Sequence, residues 1–186
     1  MEVGVISVRY AKALFSFAKE RGVADRVFVE ISSLEKALMA EPRLRIALQS
    51  PVLSLQKKHE LARTAASNGK QLSDESDRFL HLVLKNRREG YLLFICLMYQ
   101  DLYRKENNIR VGKLTLATPI DRETAHKLIK IAEHKLESTL DLRVNVDPKI
   151  KGGFIFEVDG NRLDASVATQ LRRVKQQFIA INRRIV

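Results

Sequence analysis

His59-Glu60 opens like the helix that grips zinc in a metalloprotease, where a second histidine four residues after the first completes the metal site. Arg63 stands at that position, so the second imidazole is missing. His126 and His134 are eight residues apart with no Cys or carboxylate at ligand spacing, and the local periodicity puts both on the polar side of a helix. His81, between Leu80 and Leu82, reads as packing or surface. Cys96 lies inside the apolar run Leu92–Met98, where burial would raise its thiol pKa and leave it inert. Lys151-Gly152-Gly153 lacks the glycine spacing and the following hydroxyl of a phosphate loop. Asp74 and Asp77 look like a carboxylate pair for acid–base work, but Ser73 before them suggests a helix start instead. A serine there accepts an otherwise unpaired amide, and acids favour the positive end of the helix dipole. No catalytic constellation assembles, and nothing calls for a metal or a cofactor. The residues point to a chain that binds rather than reacts.

The elements that would position such a binding surface change character near Asn107. Before it, apolar residues recur at three-and-four spacing through 8–21, 27–39, 55–66, 79–84 and 91–103, punctuated at Gly22, Pro42, Ser50-Pro51, Asn68-Gly69 and Gly90. With the short piece 42–49, this predicts six helices. After Asn107, Leu114 and Leu116 alternate with Lys113 and Thr115, a strand ending at Thr118-Pro119. Asp121 would cap a helix whose stripe is Ala125, Leu128, Ile129, Ala132 and Leu136. Leu142, Val144 and Val146 then alternate with polar residues, as do Phe154, Phe156 and Val158, up to the tight-turn pair Asp159-Gly160. A last helix from about Asp164 carries Val167, Leu171, Val174, Phe178 and Ile181 on one side. The expectation is a mainly α protein: a six-helix bundle over residues 1–106 and a smaller α/β unit, βαββα, over 107–186.

Composition supports helix over loop. Gly and Pro number 8 and 4 in 186 residues, about half the usual combined share. The single Cys96 forms no disulfide within the chain, so a reducing compartment is expected. The longest uncharged apolar run, Tyr91 to Tyr99, is far short of the roughly 20 residues needed to span a bilayer, and residues 1–12 carry Glu2, Arg9 and Lys12 and no secretory pattern. The net charge of +11 is spread over both halves, with basic residues clustered only as pairs such as Lys57-Lys58 and Arg172-Arg173. That pattern describes a basic solvated surface rather than a dedicated polyanion groove.

Two helices are too apolar for one core. On the first, Val8, Ala11, Phe15 and Ala18 form one stripe and Tyr10, Ala13, Leu14 and Phe17 a second, about 220° of apolar arc where a surface helix needs about 100°. Phe79, Leu80, Leu82, Val83 and Leu84 on the fifth cover about 200°. Either both helices sit centrally in the bundle, or their surplus stripes line a groove for an amphipathic helix from a partner.

A βαββα half with Lys151-Gly152-Gly153-Phe154-Ile155-Phe156 resembles an RNA-recognition domain, whose sheet aromatics stack bases. Gly153 intervenes where an aromatic should follow Lys-Gly, the first strand lacks the companion aromatic, and the chain is expected to end without a fourth strand. A free-standing basic RNA-binding protein is therefore the alternative rather than the main reading. A second resemblance runs in order along essentially the whole chain. Arg9-Tyr10-Ala11-Lys12-Ala13-Leu14-Phe15, Phe79-Leu80 with Asn86-Arg87-Arg88, Ile109-Arg110-Val111 to Ala117-Thr118-Pro119-Ile120, and Val146-Asp147-Pro148-Lys149-Ile150-Lys151-Gly152-Gly153-Phe154-Ile155 leading into Leu163-Asp164-Ala165-Ser166 together resemble the delta subunit family of F-type ATP synthase, whose mitochondrial counterpart is the oligomycin-sensitivity-conferring protein. Gly152, Gly153, Asp164 and Ser166 carry the family signature; Ala165 stands where the family usually has Gly.

The resemblance implies a non-catalytic stator subunit that joins the catalytic head to the peripheral stalk and resists rotor torque during proton-coupled ATP synthesis. It implies that the first and fifth helices hold the N-terminal helix of an alpha subunit, with Tyr10, Ala13, Leu14, Phe17, Phe79, Leu82, Val83 and Asn86 lining the groove. The C-terminal unit would meet the b subunit of the stalk. Nucleic acid is not an expected partner, and membrane contact is expected only through the complex, on the cytoplasmic face of a bacterial membrane.

Overall fold

The computed structural model describes residues 2–119 and 122–182, and the chain forms two compact units, Met1–Asn107 and Asn108–Val186. Unit one is helical: α1 (Glu2–Glu20), α2 (Ala24–Ala40), α3 (Pro42–Gln49), α4 (Leu55–Ser67), α5 (Asp74–Lys85), a 3-10 turn (Glu89–Tyr91) and α6 (Leu92–Glu106). The breakers act where chemistry requires. Gly22 takes φ 67° between α1 and α2, Pro42 sits in the first turn of α3, and Asn68 ends α4 at φ 45°. The Ser73 hydroxyl accepts the Ser76 amide at the start of α5, and Asp74, Glu75 and Asp77 occupy its first turn. Helix α1 begins six residues before the periodic stretch that announces it. Once a helix is nucleated, each further residue adds a hydrogen bond at little cost, even where Val5 stays exposed.

The core of this unit is built from Ala11 and Ala18 of α1, Val27, Ile31 and Leu34 of α2, Leu80 and Val83 of α5, and Ile95, Cys96 and Tyr99 of α6. Helix α6 is the central post, packed by α1 and α2. Small Ala11 and Ala18 let α1 approach closely, and Phe15 meets Tyr99 edge-on at 5.9 Å. Full burial pushes the Cys96 thiol far up, so it serves as packing.

Unit two contains β1 (Ile109–Leu116), α7 (Arg122–Leu136), β2 (Thr139–Val146), a 3-10 turn (Pro148–Ile150), β3 (Phe154–Val158), β4 (Asn161–Asp164) and α8 (Val167–Asn182). The sheet order is β2-β1-β3-β4, with β1 and β2 parallel across the α7 crossover and the other pairs antiparallel. Strand β4 corrects the three-strand expectation, so the unit is βαβββα. Asp159 and Gly160 both take positive φ, 49° and 80°, as a two-residue hairpin turn requires, and the chain after such a turn must pair back. Asp164 consequently ends a strand, and α8 starts at Val167 rather than at Asp164. The expected Asp121 cap lies outside the described residues, as do the side chains of His126, Ala125, Leu128, Phe178 and Ile181.

Candidate helix-docking groove

Six of the eight side chains expected at a groove meet in one apolar cleft of about 240 Å³ between α1 and α5: Tyr10, Ala13, Leu14, Phe17, Phe79 and Leu82. Leu14 and Phe79 are buried and form the floor, while Ala13 is exposed and Leu82 remains 48% exposed. The two surplus stripes thus face each other and stay partly open, whereas the Ala11–Ala18 stripe of α1 is spent on α6. Tyr10 stands edge-on to Phe79 at 6.4 Å, and Arg21 lies over the Phe17 ring at 5.7 Å.

Two expected residues are elsewhere. Val83 is 0% exposed and belongs to the core, because α5 turns that side toward the bundle interior. Asn86 is the C-terminal cap of α5. Its backbone N–H donates to the Leu82 carbonyl, and its side-chain amide donates to the Tyr10 hydroxyl at 3.0 Å. It ties α1 to α5 without lining the cleft.

The cleft also contains residues that periodicity does not single out. Glu75 and Arg78 line its edge. Beneath it, Glu30 of α2 is buried, with its carboxylate accepting the Ser73 amide at 2.8 Å and the hydroxyls of Ser73 and Ser76. Arg26 approaches the same carboxylate at 3.2 Å. This clasp holds the first turn of α5, and so one wall of the cleft, against α2. The only signal for it in the sequence is an acid three residues after Val27 on an otherwise apolar face.

In unit two, the signature residues meet at one junction that launches α8. Gly153 takes φ 71°, and a Cβ there would lie 2.2 Å from the Ala165 carbonyl oxygen. The Gly152 carbonyl accepts the Val167 amide at 3.0 Å. Asp164 accepts the Ser166 amide at 3.0 Å and hydroxyl at 2.6 Å with one oxygen, and the Thr169 hydroxyl at 3.0 Å with the other. The Ser166 hydroxyl in turn accepts the Thr169 amide, capping α8. The Ser166 bonds, with Thr169 and Arg162 adding to them, hold the Asp164 carboxyl down at about 2. Ala165 takes no positive φ, so the backbone here does not require glycine.

The sheet register decides the RNA alternative. Leu114 faces Val144 and Phe156 across the sheet, and Leu116 faces Val146 and Phe154, so both aromatics share the face on which α7 packs. There they line an apolar cavity of about 280 Å³ with Ile131, Ala132 and Leu136 of α7. The opposite face presents Lys113, Arg143, Glu157 and Arg162, with no aromatic. Among the described residues the sheet thus has a fourth strand, and its face opposite α7 carries no aromatic on which a base could stack.

Among the described residues, no group of three or more His, Cys, Asp or Glu could hold a metal ion. His59 is engaged with Asp77, 3.2 Å from its carbonyl, and lies edge-on to His81 at 5.6 Å, joining α4 to α5. No helix among the described residues is long and apolar enough to cross a membrane.

Comparison with known proteins gives the family. The profile of the family described as ATP synthase delta (OSCP) subunit matches residues 6–178. ATP synthase subunit delta of Bacteroides thetaiotaomicron is 53% identical over 186 residues, covering all of both chains. The subunit of the same name from Lactobacillus acidophilus is 34% identical over 178 residues, 95% of this chain and 96% of that one. In fold, the chain is similar to one in the cryo-EM structure of the Toxoplasma gondii mitochondrial ATP synthase hexamer. That match has a TM-score of 0.67 and 24% identity, covering 93% of this chain and 97% of the other. The chain belongs to the ATP synthase delta (OSCP) subunit family.

Proposed function

We propose that the chain is the stator subunit that fastens the catalytic head of an F-type ATP synthase to its peripheral stalk, and that it does so without catalysing any reaction itself. The observation that carries this reading is the open apolar cleft between α1 and α5 in a member of this family. A cleft lined along about two helical turns accepts an amphipathic helix whose anchors recur at three-and-four spacing. The N-terminal helix of an alpha subunit is the occupant. Small, exposed Ala13 permits close approach, and Leu82 supplies apolar area that the bundle does not use.

The b subunit of the stalk meets unit two. Here Ile131, Phe154 and Leu163 leave the sheet-side cavity partly open, and Val167, Leu171 and Val174 form an exposed stripe on α8. The Gly152-Gly153-Asp164-Ser166 junction fixes the direction of that stripe. The work is mechanical, transmitting torque between two helical attachments on the cytoplasmic face of a bacterial membrane, to which the chain is linked through the complex.

Co-purification tests this against the RNA-binding alternative. Extracted in mild detergent, the chain should follow the alpha and b subunits and be indifferent to nuclease. Migration with nucleic acid and release by salt would contradict the proposal.

A further inference from the structure

The cleft between α1 and α5 is apolar along its floor, yet its α5 edge carries two charges of opposite sign, Glu75 and, one turn on, Arg78. Glu75 is half-buried and Arg78 exposed. Neither has a hydrogen bond or an ion pair among the described residues, although their i,i+3 spacing would let them pair with each other. Two other carboxylates of this unit with restricted exposure are engaged. Glu30 accepts three donors from Ser73 and Ser76, and Glu89 pairs with Lys58 at 2.5 Å. Glu75 differs in standing open beside Phe79 and Leu14. A helix laid into the cleft would strip water from this carboxylate, which is unfavourable unless a cation arrives with it.

We propose that Glu75 and Arg78 read the charge of the docked helix. A Lys or Arg of the partner meets Glu75, and an Asp or Glu three or four residues away on the same face meets Arg78. This rests on the cleft being the docking site for the alpha-subunit helix. Apolar floor residues then supply affinity, while the rim selects the partner and its direction. Glu75 lies toward the start of α5 and Leu82 toward its end, so the order of cation and anion along the partner sets which way it runs. A helix with equal apolar anchors but reversed charges would bring like charges together.

The test titrates the full chain with a synthetic peptide of about the first 20 residues of the alpha subunit from the same organism, a length sufficient for a stable bound helix. Glu75→Lys and Arg78→Glu should each weaken binding at least about fivefold and change the salt dependence of the on-rate. Glu75→Gln, which removes the charge at nearly constant volume, should give a smaller loss of the same sign. Replacing one basic residue of the peptide by Glu should restore binding to Glu75→Lys but not to Arg78→Glu, and one acidic residue replaced by Lys should do the converse. If these variants bind the peptide as the wild type does, or no peptide reversal rescues either, while Leu82→Asp still abolishes binding, the rim is blind to charge and this proposal fails alone. If Leu82→Asp leaves binding intact, the docking assignment fails, and the proposal fails with it.

Discussion

Gly153 and Asp164 show how much one position can be asked to do. A methyl group on Gly153 meets the Ala165 carbonyl at 2.2 Å, and the φ of 71° disfavours any side chain there. Gly153→Ala should therefore cost about 1–3 kcal/mol or more, read as a lowered urea midpoint for unit two. Asp164 behaves differently because its role depends on charge. Its carboxyl is held at about 2 against an ordinary 3.8, so the stabilisation it provides is complete above the ordinary value and is lost as pH falls through about 2. The carbon-13 shift of this carboxyl should titrate near pH 2, and Asp164→Asn should abolish the acid-side dependence of α8 order. These four signature positions were legible in the sequence as a pattern, but their joint task was not. Their meeting depends on β4, a strand of four residues opened by Asn161 and Arg162, too short and too polar to announce itself by alternation.

At the scale of elements, α1 and α5 were legible as over-apolar helices because an arc of about 200° exceeds what one packing neighbour covers. The arc could not say which edge of α5 belongs to the core. Leu82 and Val83 lie about 100° apart within one apolar arc, and only packing on the interior decides that Val83 is buried and Leu82 open. Nor could periodicity reveal Glu30, whose meaning lies in hydroxyls more than forty residues away in sequence. Glu30→Ala would strand the Ser73 amide and two hydroxyls at the start of α5. It should destabilise unit one by about 2–3 kcal/mol in chemical denaturation. It should also loosen the α5 wall, so that amide exchange quickens in the first turn of α5 before it does in α6.

For the whole molecule, the change of hydrophobic period near Asn107 was the legible feature, since a bundle and a sheet use different repeats. Unit one has its own core around α6, so residues 1–106 alone should show cooperative loss of helical circular dichroism. A fragment without helix, or one that needs the second unit to fold, would contradict that. The chain should bind no nucleotide tightly, because the chemistry of the complex is proposed to lie in other subunits; calorimetry with ATP checks this. The central claim is that the α1–α5 cleft is a docking site rather than spare core. It is tested most directly by calorimetric titration of the alpha-subunit N-terminal peptide into the wild-type chain and Ala13→Leu, with thermal unfolding of the same samples. Filling the cleft at an exposed position should weaken the peptide at least about tenfold, or 1.4 kcal/mol, with the unfolding midpoint unchanged. Unchanged peptide affinity with a collapse in folding stability would show that the second stripe of α1 belongs to the core.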